Sequence, residues 1–450
     1  MKNLDRDSID FGKTDIPKLF RSIFIPTLFG MVFNAVFVFT DGVFIGHDVG
    51  PEGLACVNLI APIMMVITGL GMMFGVGCSV VSAIHLSRDN EKAARINTTQ
   101  AYLAATLLAI LMAVLFYSMP GQVLHLLGVP DSLIPMAKEY YLWFIPTALF
   151  LMFQIVGEFL IRLDGSPKFA MFSNIIPAVV NIILDYVFIF PCSMGLKGAA
   201  LATDIGTGIG MLMALYYMVF RAEKLKFYRL KRSATSLRLS VRNVGYMIKL
   251  GFSAFIGEFA ISTMMLAGNI AFGQHIGDDG IAAYSVICYL FPVVYMIYSA
   301  VAQSAQPIIS YNYGASQGNR VRKTFRFSLM ISVVFGAVIT FLFCFSAPAI
   351  ISIFLENGSE TFRIATEGLP LYATGFVFIA FNVSAIGYFQ SIERGNLATC
   401  LMLLRGVIFL VMAFWILPKA MGTTGLWLAV PTAEVLTFAV EIFFFARKKQ

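Results

Sequence analysis

The chain has 450 residues, of which 58% are hydrophobic and only 13% are charged, and its formal net charge is +7. Soluble domains average about 45–50% apolar and about 25% charged residues, so this composition excludes an ordinary soluble protein and, despite the positive charge, a nucleic-acid-binding protein. One helical span of a bilayer requires about 20 apolar residues, and the chain is long enough for roughly twelve such spans with short loops. We therefore expect an all-α polytopic membrane protein.

Apolar runs separated by short polar breaks predict twelve transmembrane helices. In chain order they lie near residues 22–46, 54–85, 97–119, 133–161, 167–191, 197–220, 246–272, 281–309, 325–346, 365–390, 397–417 and 423–446. The longest polar gap, residues 221–245, divides them into two groups of six. We expect an N-terminal lobe over residues 1–220, a cytoplasmic inter-lobe loop over 221–245 and a C-terminal lobe over 246–450.

The distribution of basic residues predicts the orientation of the spans. With the N-terminus in the cytoplasm, 28 of the 32 Lys and Arg residues fall on the inner side, and those left outside are Lys138, Lys197, Arg363 and Lys419. Because cytoplasmic loops carry an excess of Lys and Arg, we expect both termini to be cytoplasmic. We expect the protein to lie in the cytoplasmic (inner) membrane of the cell, surrounded by lipid, and to act as a monomer.

The two halves also show an internal repeat. Six of the 19 glycines in the first half have a glycine partner 227 residues later, against roughly 1.5 expected from ordinary glycine usage of about 7%. The pairs are Gly30–Gly257, Gly46–Gly273, Gly50–Gly277, Gly53–Gly280, Gly195–Gly422 and Gly198–Gly425. Repeats with an even number of spans have the same orientation, so we expect two pseudo-symmetric six-helix lobes, an architecture of secondary transporters.

Acidic residues inside the predicted spans are the main functional candidates, because a carboxylate in the membrane needs a partner, a proton or an ion. Asp41, Asp185 and Thr203 all lie roughly 8–9 Å below the outer boundary at 1.5 Å rise per residue. Asn34 shares a helix face with Asp41, and Asn181 shares one with Asp185. Further acids within predicted spans are Asp204, Glu258, Glu158, Glu434 and Glu441.

The carboxylate, amide and hydroxyl oxygens of these residues are suited to Na⁺ or to a shared proton. Burial and a second carboxylate nearby both disfavour the charged form, so we expect one of Asp41 and Asp185 to hold a proton near neutral pH. The alternative is a buried hydrogen-bond network that only joins spans 1, 5 and 6.

No sequence motif indicates catalysis or a bound cofactor. The segment FGKT at 11–14 has Asp7 where a phosphate-binding loop needs its leading glycine, and no HExxH motif occurs. The four histidines are scattered at span ends. We therefore expect a protein that is not an enzyme, has no cofactor and is driven by an ion gradient.

Three stretches of the first half resemble the multidrug and toxic compound extrusion (MATE) transporters, closest to their bacterial MepA-like branch. They are FIPTLFGMVFNAVFVFTDGVFIGHDVG (24–50), RLDGSPKFAMFSNIIPAVVNIILDYVFIF (162–190) and GLKGAALATDIGTGIG (195–210), and the second half contains GQHIGDDGIAAYSV (273–286). The resemblance covers nearly the whole chain. It implies the MATE fold and export of small-molecule drugs and dyes, often organic cations, in exchange for H⁺ or Na⁺ by alternating access.

The resemblance also assigns residues. It places the family's cation-coupling site on Asp41, Asn181, Asp185 and Thr203, which would hold Na⁺ if the protein is sodium-coupled, and the bend of the first helix on Pro26. Glu258 matches an acid on the seventh span of one branch. The companion acid of that branch is missing, because residues 371–390 contain no carboxylate. Glu258 is therefore expected to meet a cationic substrate or a proton.

An aromatic and thioether-rich group on spans 7 and 8 is the predicted substrate wall, since such side chains accept flat organic cations of varied shape. Its members are Met264, Met265, Tyr284, Tyr289, Phe291, Tyr295 and Met296. The alternative functions are a flippase or an exporter of another amphipathic solute in the same superfamily. A channel and a membrane-embedded enzyme are weaker alternatives, because no repeated filter motif and no embedded histidine occurs.

Overall fold

The computed structural model describes residues 9–231 and 233–447, and within these residues all regular secondary structure is helical. The helices of the first half are α1 (Ile16–Asp48), α2 (Pro51–Ser87), α3 (Glu91–Ser118), α4 (Pro120–Leu126), α5 (Ile134–Phe144), α6 (Thr147–Leu163), α7 (Pro167–Ile189) and α8 (Gly195–Tyr216). Those of the second half are α9 (Ala234–His275), α10 (Asp278–Gly314), α11 (Gly318–Phe345), α12 (Ala347–Ile351), α13 (Glu360–Ala373), α14 (Phe376–Ser391), α15 (Gly395–Leu403), α16 (Phe409–Met421) and α17 (Thr423–Arg447). A π-helical turn, Tyr217–Arg221, extends α8, and another, Leu404–Ile408, joins α15 to α16.

The described helices account for the twelve predicted spans. Ten helical segments are long and apolar enough to cross a bilayer, with α15 and α16 counted as one through their π-helical turn. Two further spans are bent pairs, α5 with α6 at 44° and α13 with α14 at 45°. Pro146, which lacks an amide proton, lies at the first bend. The predicted all-α polytopic fold with twelve transmembrane helices is confirmed.

The helix boundaries reproduce the internal repeat found in the sequence. Adding 227 to the bounds of α2, residues 51–87, gives residues 278–314, which are the bounds of α10. The same offset converts α3, residues 91–118, into α11, residues 318–345. The bends repeat as well, since the break after Phe144 corresponds to the break after Ala373. Each half therefore has the same succession of six spans.

The chain forms two compact units that do not divide at the predicted inter-lobe loop. Unit 1 comprises residues 1–255 and 310–317, and unit 2 comprises 256–309 and 318–450, as far as these residues are described. Within the stretch predicted as a loop, 221–245, α9 already begins at Ala234. The early start has a physical reason: hydropathy detects the apolar part of a helix, whereas a helix can continue past it with a solvated polar surface.

Several side chains of unit 1 bond the irregular part of the central segment, and one buried carboxylate binds three consecutive backbone N–H groups of it. Asp164, which follows α6 and is only 2% exposed, accepts hydrogen bonds from the backbone N–H groups of Glu223, Lys224 and Leu225 at 2.9–3.1 Å. It also accepts one from the Tyr217 hydroxyl at 2.8 Å. These bonds hold the chain where it leaves α8 and turns toward α9.

Some of the basic residues that predict the orientation lie outside the described part of the chain. This applies to the basic residues Lys2, Arg6, Arg232, Lys448 and Lys449. The count of 28 inner residues is wrong for one described member, Arg405, because that residue is 5% exposed in the span formed by Gly395–Met421. Because Arg405 lies inside a span, it belongs to neither side of the membrane and says nothing about orientation. The cytoplasmic location of both termini remains a prediction.

Candidate functional site

The candidate cation site is built where α1, α7 and α8 pack together in unit 1. Glycines allow the close approach: a Cβ atom on Gly206 of α8 would lie 3.0 Å from the Asn181 Cβ and 3.1 Å from the Pro177 carbonyl oxygen of α7. A Cβ on Gly30 of α1 would lie 3.4 Å from the Asn174 side-chain nitrogen of α7. The glycines thus bring polar side chains of three helices within reach of one another.

Two of the predicted carboxyl groups meet in this region. Asp185 on α7 is fully buried, and Asp41 on α1 is partly buried and close enough to interact with it electrostatically. Within the described structure, neither carboxyl oxygen of Asp185 has a hydrogen-bond partner. The buried Oδ1 of Asp41 has none either. Buried polar atoms are nearly always paired in folded proteins, so these three orphaned oxygens need an explanation.

The two neutral members of the predicted site also lie together. The Asn181 side-chain nitrogen donates to the Thr203 hydroxyl at 3.4 Å, and the two residues are 2% and 5% exposed. This bond uses one of the two N–H donors of the amide and leaves the Asn181 Oδ1 buried and without a partner among the described residues. Together with Asp41 and Asp185, the site presents four acceptor oxygens without donors, which is the arrangement that a proton or a hard cation such as Na⁺ satisfies.

A third acid of this region is already satisfied. Asp204 on α8 is 7% exposed, and its Oδ1 accepts a short hydrogen bond from the hydroxyl of Thr147, the first residue of α6. Tyr140 on α5, 5% exposed, lies within electrostatic reach of Asp41, Asp185 and Asp204. Sequence reasoning missed Tyr140 and Thr147, and the break at Pro146 was the one local signal that could have drawn attention to Thr147.

Other predicted residues of unit 1 lie apart from the orphaned oxygens. Asn34 is exposed, so it is not brought into the buried group that contains Asn181. Pro26 is buried inside the continuous helix α1 and cannot donate a backbone hydrogen bond to the preceding turn. Thr27 beside it lies 3.5 Å from the side chain of Arg162, a buried residue at the end of α6. The residue after the proline thus contacts a buried arginine of α6.

The predicted substrate residues of unit 2 have different environments. Met264 and Tyr284 are 3% and 1% exposed and bonded to each other, the Tyr284 hydroxyl donating to the Met264 carbonyl oxygen at 3.0 Å. Tyr289 is 64% exposed, with its ring stacked 6.4 Å from that of Phe354. Glu258 is partly buried on α9 and interacts electrostatically with Tyr295. The structure therefore does not gather the aromatic group on one surface.

Unit 2 contains a buried ion pair that sequence reasoning did not single out. The Arg405 Nε, in the π-helical turn, donates to both carboxylate oxygens of Glu434 on α17 at 2.7 and 2.8 Å. The Asn382 side-chain nitrogen on α14 donates to the same carboxylate at 2.7 Å. Arg405 also lies 5.5 Å from the centre of the Tyr295 ring. A lone arginine within the apolar run 397–417 was the available signal.

The fold and the buried acids define a class of protein. Two six-span helical repeats, with unpartnered carboxyl groups buried between packed helices, are typical of secondary transporters, which bind ions and solutes at polar positions inside the membrane. The described residues contain no group of three or more His, Cys, Asp or Glu side chains that could hold a metal ion.

The comparisons with known proteins identify the family. The MatE family model matches residues 26–187 and 253–415, one stretch in each repeat, and the chain belongs to this family of multidrug efflux transporters. The multidrug export protein MepA of Staphylococcus saprophyticus is 24% identical over 434 residues, which cover 95% of this chain and 92% of the relative. MepA of Staphylococcus aureus strain MRSA252 is 24% identical over 440 residues, with the same coverage.

Solved structures have the same fold. The Vibrio cholerae MATE transporter VcmN superposes with a TM-score of 0.89 at 19% identity, covering 96% of this chain and 97% of that one. A transporter of the MOP superfamily from Pyrococcus furiosus superposes with a TM-score of 0.88 at 20% identity, covering 97% and 96%. The latter is described as having a binding pocket of reverse polarity that suggests a different function.

Proposed function

We propose that this protein is a secondary antiporter that exports organic cationic drugs and dyes in exchange for H⁺ or Na⁺. Membership of the MatE family and the drug-export names of its MepA relatives support transport of small-molecule drugs. These relatives are named as transporters, and the site described above has acceptor oxygens rather than an arrangement for catalysis. The activity assigned is therefore export across the cytoplasmic membrane by alternating access.

The observation that carries the coupling proposal is the set of four orphaned acceptor oxygens on Asp41, Asp185 and Asn181. An unpartnered buried charge costs several kcal/mol, so two neighbouring carboxylates are not both stable without a proton or a cation. Binding of H⁺ requires only that one carboxylate become a carboxylic acid. Binding of Na⁺ would use both carboxylates, the Asn181 Oδ1 and the Thr203 hydroxyl oxygen as ligands.

The same geometry supports a link between the cation and the conformation of the unit. The two acids lie on α1 and α7, and α1 contains Pro26, where one backbone hydrogen bond of the helix is missing. A change of charge between Asp41 and Asp185 alters the electrostatic force between these helices. We therefore infer that α1 bends at Pro26 when the cation enters or leaves.

A cationic substrate is supported by the sign of the unpaired groups in both units. Asp41 and Asp185 in unit 1 and Glu258 in unit 2 are acidic, whereas the buried arginine of unit 2, Arg405, is already bonded to Glu434. A cationic dye would be attracted by this excess of acidic groups, and an anionic solute would be repelled.

Reconstitution into proteoliposomes tests the proposal. Ethidium movement is followed by fluorescence under an imposed pH gradient and, separately, under a Na⁺ gradient, with gradient-free vesicles as the control. We expect counter-directed ethidium transport under one of the two gradients, which also identifies the coupling ion. Absence of transport under both gradients, together with transport of a neutral or anionic amphipathic solute, would contradict the proposal and favour a flippase or another exporter.

A further inference from the structure

Glu441 is a buried carboxyl group that the coupling site in unit 1 does not use. It lies on α17, within the apolar span Thr423–Ala446, and none of its surface is exposed. Neither of its carboxyl oxygens has a hydrogen-bond partner within the described structure. A charged carboxylate in such a place would cost several kcal/mol, far more than a neutral carboxylic acid.

Among the described residues, the positive charge that interacts with Glu441 already has a partner. Arg405 interacts with Glu441 electrostatically, but its Nε donates to both oxygens of Glu434. Asn382 supplies a further donor to Glu434 and none to Glu441. Because Arg405 and Glu434 neutralise each other, the part of the chain that the structure describes offers Glu441 no counter-charge of its own.

The spacing of the two acids places them on one side of α17. Glu434 and Glu441 are seven residues apart, which is two helical turns and about 10 Å along the axis. Arg405 approaches this side from the π-helical turn Leu404–Ile408. Single π-helical turns within longer helices occur frequently at functional sites, because they aim a side chain at the expense of regular hydrogen bonding.

Among the described residues, the other titratable groups on α13, α14 and α16, which pack against α17, lie in contacts of their own or are exposed. On α11, whose Phe325 stacks on Phe445 of α17, Arg322, Lys323 and Arg326 are exposed. The Tyr372 hydroxyl of α13 donates to the Met264 sulfur at 3.2 Å. Tyr388 of α14 packs against Phe445, one turn beyond Glu441. The remaining charged groups are exposed and interact elsewhere, namely Glu360, Arg363 and Glu367 with one another, and Lys419 with the ring of Trp415.

We propose that Glu441 is a second proton-binding site, located in unit 2, whose charge is sensed by the Arg405–Glu434 ion pair. The chemical step is the reversible association of one proton with one carboxylate oxygen, and it requires no other reactant. With the proton bound, the three side chains have no net charge. When the proton leaves, Arg405 faces two carboxylates, and its bonds to Glu434 weaken as it is drawn toward Glu441.

This inference is independent of the proposed coupling role of Asp41 and Asp185, which lie in the other unit. Infrared difference spectroscopy of the purified full-length protein tests it, because a protonated carboxylic acid has a carbonyl stretch that a carboxylate lacks. The variant is Glu441→Gln, which keeps the size of the side chain. The control is Glu356→Gln, the same change at an exposed position of unit 2.

At neutral pH, we expect Glu441→Gln to lose the carbonyl band of one carboxylic acid, and Glu356→Gln to lose carboxylate bands only. Raising the pH should remove the same band reversibly from the unmodified protein. Glu441→Asp retains a titratable group, so it should shift the band rather than abolish it. This variant replaces Glu441→Gln as the test if the glutamine variant does not fold.

The band should persist in an Asp41→Asn, Asp185→Asn double variant, which separates this site from the coupling site. Loss of carboxylate bands in Glu441→Gln, or an acid band that does not respond to pH while the protein stays folded, would overturn the proposal.

Discussion

Gly77 of α2 and Gly251 of α9 lie where the two helix backbones touch. A Cβ atom on Gly251 would lie 1.8 Å from the Met73 carbonyl oxygen, and one on Gly77 would lie 2.1 Å from the Met247 carbonyl oxygen. Each glycine thus faces the carbonyl group located four residues before the other glycine. This reciprocal contact lets the first part of α9 pack directly on α2 within unit 1.

Substitution of Gly251 by alanine is expected to separate these helices. The obstructing atom is a backbone oxygen that cannot rotate away, and overpacking of this kind costs about 1–3 kcal/mol. We expect a lower midpoint of thermal denaturation in detergent for Gly251→Ala. Gly245→Ala is the matched control on the same helix, because a Cβ there would have no neighbour within 4 Å. A midpoint for Gly251→Ala equal to that of Gly245→Ala would contradict the close contact.

Asp164 should be required for the ordered path of the central segment. Asp164→Ala leaves three backbone N–H groups without their acceptor, and hydrogen bonds to a charged group contribute about 1.5–3 kcal/mol each. We expect faster tryptic cleavage at the basic positions that follow, Lys224 and Lys226. Asp48→Asn, which alters an exposed carboxylate, serves as the control. Equal cleavage rates for the two variants would show that Asp164 does not hold this segment.

The orientation predicted from the basic residues can be tested by labelling. Ser233 and Asp278 are both exposed and lie next to the start of α9 and at the start of α10. In a background without the six native cysteines, two of which are exposed, a cysteine at Ser233 should be labelled only from the cytoplasm. A cysteine at Asp278 should be labelled only from outside. Labelling of both positions from one side would contradict the predicted topology.

Glu258 should determine the preference for cationic substrates. Its carboxyl group lies near Tyr295, and a Glu258→Gln variant removes the charge while keeping the shape of the side chain. We expect export of cationic dyes to weaken more than export of neutral compounds, with Glu356→Gln as the control at an exposed site. Equal losses for both substrate types would indicate a structural or coupling role for Glu258.

The fold could be predicted well because its signals are long and periodic. Apolar runs that exceed the length needed to cross a bilayer indicate every span. The repeat is visible at Gly50 and Gly277, because both positions have a positive φ, a conformation that favours glycine in each half. The start of α9 at Ala234 was not predicted, since hydropathy does not detect a helix that continues beyond its apolar part.

The candidate site was predictable only in part, because spacing along one helix says nothing about its neighbours. Spacing predicts that Asp41 and Asp185 lie at one depth, and in the structure they are within electrostatic reach of each other. Asn34 lies two turns before Asp41 on the continuous helix α1, but its side chain is exposed and lies outside the buried group. The pairing of Arg405 with Glu434 depends on a π-helical turn, which has no pattern in the sequence comparable with an apolar period.

The central claim is that Asp41 and Asp185 are the coupling pair. Asp41→Asn and Asp185→Asn keep the size and shape of each side chain but remove its titratable charge and one acceptor oxygen. Asp48→Asn is the matched control, two turns further along α1 and exposed. The most direct measurement is gradient-driven ethidium efflux from proteoliposomes that contain equal amounts of each folded variant. We expect efflux to be abolished in Asp41→Asn and in Asp185→Asn, with dye binding retained, and to be unchanged in Asp48→Asn; near-normal efflux from either of the first two variants would contradict the account.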